Sequence, residues 1–120
     1  MTATAGFVGP PDALEFYDAV VATNPAVARK GVAMPYTSVN GHMFSFLDAS
    51  GTMALRLRAP DRDEFFATYS STIVEQHGRV MAEYVVVPDT LLRQRAELQT
   101  WFNRSLEWVS SRKPKPTRAR

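Results

Sequence analysis

The stretch from Thr52 to Arg58 constrains the fold most. Met53, Leu55 and Leu57 alternate with Ala54, Arg56 and Arg58. Side chains on a strand point to opposite faces with period two, so this pattern predicts one apolar and one wet face. Such a strand belongs to an antiparallel sheet covered on one side. Twelve residues upstream lies Asn40-Gly41. Both residues tolerate positive φ, and the pair is a strong two-residue hairpin signal. The spacing predicts strands over 32–38, 42–47 and 52–58, a three-stranded antiparallel meander. Pro35 lacks the N–H that a central ladder needs, so the first strand is expected at an edge or bulged there.

Helical periodicity flanks this meander. Leu14, Tyr17, Val20 and Val21 recur at helical spacing, with Phe16 beside them. Asp12 is the expected N-cap, with Glu15 at capping-box spacing. Asn24-Pro25 ends the helix, because a residue before proline is pushed out of the α region. This places the first helix over 12–23. Asp61 is expected to cap a short helix to about Tyr69. The segment from Ser70 to Gly78 reads as a connector with a helical turn near Ile73–Gln76. Arg79 to Val87 reads as the last strand, stopped by Pro88. A turn over Asp89–Leu92 then leads to a final helix over about 95–111. Leu98, Trp101, Phe102, Ser105, Leu106 and Val109 give it a wide stripe suited to crossing a sheet.

The order α-β-β-β-α-β-α implies an α+β fold, an antiparallel sheet with helices gathered on one face. One hundred and twenty residues make one domain. Its expected limits are 11–111, after a loose N-terminal arm over 1–10 and before a basic tail over 112–120. The tail holds Arg112, Lys113, Lys115, Arg118 and Arg120. Removing those five leaves nine basic against twelve acidic residues, so the body carries −3 under a total of +2.

Two stretches carry a family resemblance. Met81-Ala-Glu-Tyr84-Val-Val-Val-Pro88-Asp89, continued by Leu91, Leu92, Leu98, Trp101 and Ser105, resembles the N-terminal domain of the TfoX/Sxy competence regulators. Asn40-Gly41-His42-Met43-Phe44 and Leu55-Arg56-Leu57 are similar to the same family. Met34-Pro35-Tyr36-Thr37 stands where that family commonly has Met-Phe-Gly-Gly, and looks more like the YdhG-type domains. These groups and the YjbR-like domains share one α+β fold similar to secretion chaperones. The resemblance spans about residues 30–110 and implies that fold. It also implies a non-enzymatic role in competence-type regulation, acting through a protein partner or a homodimer. No catalytic residue of the family is available for transfer.

Chemistry-bearing residues are few. The chain has no cysteine, which removes disulfides, thiolate metal sites and Cys nucleophiles. His42 and His77 lie far apart, outside any H-x-x-x-H or H-E-x-x-H spacing, so neither a metal site nor a cofactor is expected. Asp61, Asp63 and Glu64 read as an acidic helix start that complements the helix dipole. Tyr36, His42, Arg56 and Arg58 are the candidates for a ligand or partner cleft, and a small-molecule or enzymatic cleft near Tyr36, His42 and Arg56 is the alternative reading. Arg79 adds a cation at the start of the last strand. Trp108, beside the final helix's stripe, is the candidate interface residue. The tail could contact at most about five phosphates, a weak and sequence-independent nucleic-acid partner. No run of eighteen apolar residues exists, and Met1–Gly9 lacks the features of a signal peptide. The expected location is cytoplasmic.

Overall fold

The computed structural model describes residues 6–112. The strand that follows Arg56 closest in space is not its sequence neighbour, and this governs the architecture. The order of elements is α1 (Pro11–Val21), β1 (Tyr36–Val39), β2 (His42–Leu47), β3 (Met53–Arg56), α2 (Ala59–Thr68), β4 (Ile73–Gln76), β5 (Arg79–Val87), α3 (Asp89–Leu92) and α4 (Arg95–Ser110). The sheet runs β1-β2-β3-β5-β4, with every neighbouring pair antiparallel. The fold is α+β, as the periodicities predict.

The apolar helix residues that are buried all join one cluster with Phe44, Leu47, Met53, Leu55, Leu57, Val85 and Val87. The helices therefore share one face of the sheet. The alternation at 53–57 has the expected sense: Met53, Leu55 and Leu57 are fully buried beneath the helices.

The opposite face is less wet than the sequence suggests. Phe46, Ala54, Val74 and Tyr84 form a second buried cluster there, flanked by Tyr36, Met43, Met81 and Val86. A bulge places Phe46 there. Thr37 pairs with Ser45, but Ser38 pairs with Met43, so Phe44 is the extra residue on β2. A bulge resets the inside–outside alternation. Phe44 and Ser45 thus both meet the helices, and Phe46 turns to the other side.

A buried polar chain accompanies the bulge. The Tyr17 hydroxyl lies 2.7 Å from Ser45 Oγ, which lies 2.5 Å from Thr37 Oγ1. All three residues are buried, and the hydroxyls satisfy one another. This chain ties α1 to β1 and β2 in one register.

Several sequence expectations need correction. The segment 73–76 is a strand and not a helical turn, so the sheet has five strands. His77 and Gly78 both have positive φ, 53° and 76°, and join Gln76 to its partner Arg79. That is the geometry of a tight hairpin, the same as at Asn40-Gly41, where φ is 55° and 79°. β1 begins at Tyr36 and not at Val32, because Pro35 offers no N–H. Its carbonyl still accepts the Leu47 N–H at 2.9 Å. Tyr36 also exchanges two backbone hydrogen bonds of 2.8 Å with Lys30, which covers that point of the edge.

The caps differ too. α1 starts at Pro11 behind Pro10, since proline suits the first helical position. Asp12 is inside the helix, and there is no capping box. Arg58 and not Asp61 precedes α2, which opens Ala59-Pro60. Residues 6–10 are not a loose arm, because Phe7 is buried in the main cluster.

Candidate functional site

α2 and α4 lie side by side on the helical face, and an open groove of about 630 Å³ runs between them. Arg58, Asp61, Glu64, Arg104, Glu107, Trp108 and Ser111 line it. On α4, Arg104, Trp108 and Ser111 recur at intervals of four and three, so they share one face. On α2, Asp61 and Glu64 do the same.

The electrostatic centre is Asp61, which is only 6% exposed. A buried carboxylate needs paired charge and hydrogen bonds. Arg58 Nε donates to its Oδ2 at 3.0 Å, and Arg104 Nη1 reaches its Oδ1 at 3.4 Å. Arg104 also donates to Glu64 Oε1 at 2.9 Å. That bond, above all, raises the Arg104 pKa, with the charges of Glu64 and Asp61 adding to it. The guanidinium further lies 4.6 Å from the Trp101 ring centre. Arg104 is thus held between two carboxylates and an indole.

Trp108 forms the other end of the groove. Arg56 sits 5.7 Å from its ring centre and Arg112 sits 5.2 Å from it, both within cation–π range. Arg56 is itself anchored. Its Nε and Nη2 lie 2.8 and 2.7 Å from Glu83 Oε1. The Ser105 hydroxyl donates to the Arg56 carbonyl, joining α4 to the end of β3. The Ser111 hydroxyl donates to the Trp108 carbonyl at 2.6 Å. Carboxylates, guanidiniums and an indole in such an arrangement can hold a chain segment by ion pairs and stacking.

The sequence candidates separate in space. Tyr36 and Arg56 belong to the helix-free face, as their pairing with Phe46 and Tyr84 requires. His42 pairs with Val39, which packs against the helical cluster, so the register puts it on the helical face, away from Tyr36 and Arg56. None of these three lines the groove. Arg58 does not share the outer face with Arg56, because β3 ends at Arg56 and Arg58 lies at the start of α2. It lines the groove with Trp108. Arg79 is exposed at the β4–β5 turn. Arg112 is described. Lys113, Lys115, Arg118 and Arg120 lie outside the described residues.

Asp61, Glu64, Arg104 and Glu107 were not expected as site residues. The only local signals for them are the Arg58–Asp61 spacing of three and the Arg104–Trp108 spacing of four. Among the described residues, no three His, Asp or Glu side chains are grouped to hold a metal ion, and no helix is long and apolar enough to cross a membrane. No protein-family model, curated protein or solved structure matches the chain.

Proposed function

We propose that this chain is a non-enzymatic cytoplasmic protein of the TfoX/Sxy N-terminal-domain-like type. It acts by binding a protein partner or a second copy of itself, in competence-type regulation. The observation that carries the binding role is the α2–α4 groove. It sets an accessible Trp108 beside Arg58 and Arg104, and Trp and Arg are the residue types that dominate binding energy at protein interfaces. Its carboxylates and guanidiniums are already interlocked, which suits recognition by exchange of ion pairs. The regulatory role rests on the sequence resemblance.

Affinity capture with the intact chain and with Trp108→Ala tests the reading, alongside sedimentation of both. A partner or dimer held by the wild type should weaken by about 2 kcal/mol or more in the variant, the scale of an interface hot spot. A strictly monomeric protein whose captured proteins are identical with and without Trp108 would overturn it.

A further inference from the structure

We infer that the outer edge of β4 pairs with β4 of a second copy of this chain, joining two five-stranded sheets edge to edge. This surface is distinct from the α2–α4 groove and does not depend on it.

β4 ends the sheet, with β5 on one side and no strand on the other. The Thr72 carbonyl accepts the Val86 N–H at 2.9 Å, so Thr72 faces β5. Gln76 and Arg79 flank a two-residue turn, and residues in that position exchange hydrogen bonds, so Gln76 faces β5 as well. Backbone groups along a strand alternate in direction. The N–H and C=O of Ile73 and Glu75 therefore point outward, and among the described residues no hydrogen bond ends on them. The other edge of the sheet is obstructed. Tyr36 on β1 exchanges two hydrogen bonds with Lys30, Pro35 has no N–H, and Lys30 Nζ reaches Ser38 Oγ at 3.1 Å. With one open edge per chain, pairing closes at two copies and does not run on into a fibre.

The β4 sequence is complementary to itself in one antiparallel register. Centred on Glu75, the pairing sets two carboxylates directly opposite, which is destabilising. Centred on Ile73, each Glu75 falls opposite Ser71, outside the strand. Centred on Val74, each Glu75 lies opposite Ile73 of the second copy, and all the outward groups of Ile73 and Glu75 are satisfied. Val74 then meets Val74 of the second copy in a non-hydrogen-bonded pair, where side chains approach most closely. Val74 belongs to the buried cluster of Phe46, Ala54 and Tyr84 on the helix-free face, flanked by Met81. The clusters of the two copies become continuous across the axis. Four hydrogen bonds and one valine pair make this a weak, reversible dimer.

Sedimentation equilibrium of the full chain up to about 1 mM should show monomer and dimer in exchange. Glu75→Pro removes an outward N–H from each copy and spares the ladder to β5, the kind of position where an edge strand tolerates proline. It should raise the dimer dissociation constant at least about tenfold, the scale of two lost hydrogen bonds. Circular dichroism checks that this variant folds. Amide exchange read by NMR needs no variant. The Ile73 and Glu75 N–H groups should exchange fast in dilute protein and slowly in concentrated protein, while Val74 and Gln76 stay protected in both. A chain that remains monomeric overturns the inference, as does a dimer in which Ile73 and Glu75 still exchange fast. Slow exchange at both in dilute protein also overturns it, because another part of the chain then covers the edge. Trp108→Ala should leave this dimer intact. A dimer lost in Trp108→Ala and kept in Glu75→Pro would place self-association in the α2–α4 groove, overturning edge pairing while the preceding reading stands.

Discussion

Asp61 sets the energetics of the groove at the scale of a single residue. Its carboxylate is nearly buried, while its partners differ in exposure: the Arg58 side chain is 52% exposed and that of Arg104 is 36% exposed. Removing one partner of a buried pair costs far more than the pair contributes, because the remaining charge is left in a poor environment. Here both arginines keep access to water, and Arg104 keeps Glu64, so the penalty is reduced by screening. Asp61→Asn should therefore destabilise the protein by about 1–2 kcal/mol, read from the urea midpoint at constant slope. A change under a few tenths would mean that Arg58 and Arg104 gain nothing from the buried carboxylate. The sequence places Asp61 at a helix start but does not reveal this duty. Its partner Arg104 comes from a different helix, and no local spacing encodes that meeting. Trp108 was legible because helical periodicity sets it beside the stripe of α4. Arg58 is singled out by a strand alternation that ends at Arg56, so it reaches the groove from the start of α2 instead.

At the scale of elements, the legible parts were those with long or sharply bounded patterns. β5 was readable over Arg79–Val87 because Pro88 stops it. α4 was readable because six stripe positions agree. β4 was hidden: it has four residues, follows the polar run Ser70-Ser71-Thr72, and closes on His77-Gly78 instead of an asparagine turn. Histidine nonetheless enters the left-handed region more readily than most residues. Gly78 gives a clean test of that turn. Its φ is +76°, and an added Cβ would meet nothing within 4 Å, so any cost is purely backbone strain. Gly78→Ala should lose about 1–2 kcal/mol in chemical unfolding. No loss would show that the turn relaxes to another conformation. The bulge at Phe44 was equally illegible, since the pattern of His42–Leu47 is apolar on both parities and gives no clue to where the alternation resets.

For the whole molecule, pH is the revealing variable. Burial pushes the Tyr17 phenol well above its usual value, more strongly than the Ser45 and Thr37 hydrogen bonds pull it down. Burial likewise raises Tyr84, against the opposing Arg56 charge, and raises Tyr69, with the Glu97 hydrogen bond adding. A raised phenol pKa means the unfolded chain releases its proton first. The stabilisation is complete below pH 10, the unfolded value, and declines as pH rises above it. For the fully buried Tyr17, stability should fall by about 1.4 kcal/mol per pH unit while its phenol stays protonated in the fold. Tyr69, which is only partly buried, adds much less because solvent screens it. Tyr17→Phe should unfold less steeply with alkali while starting lower at neutral pH, having lost a hydrogen bond to Ser45. Parallel alkaline profiles for the two proteins would remove Tyr17 from the account.

The insertion of β5 between β3 and β4 also orders events in time. As the chain is synthesised, the β1–β3 meander emerges first, with the free edge of Met53–Arg56 exposed. β4 follows, yet it has no place beside that edge. Only β5, once delivered, can bind β3 on one side and β4 on the other. The sheet is therefore completed from its interior, by the last strand to arrive, and α4 can close over the helical face only afterwards.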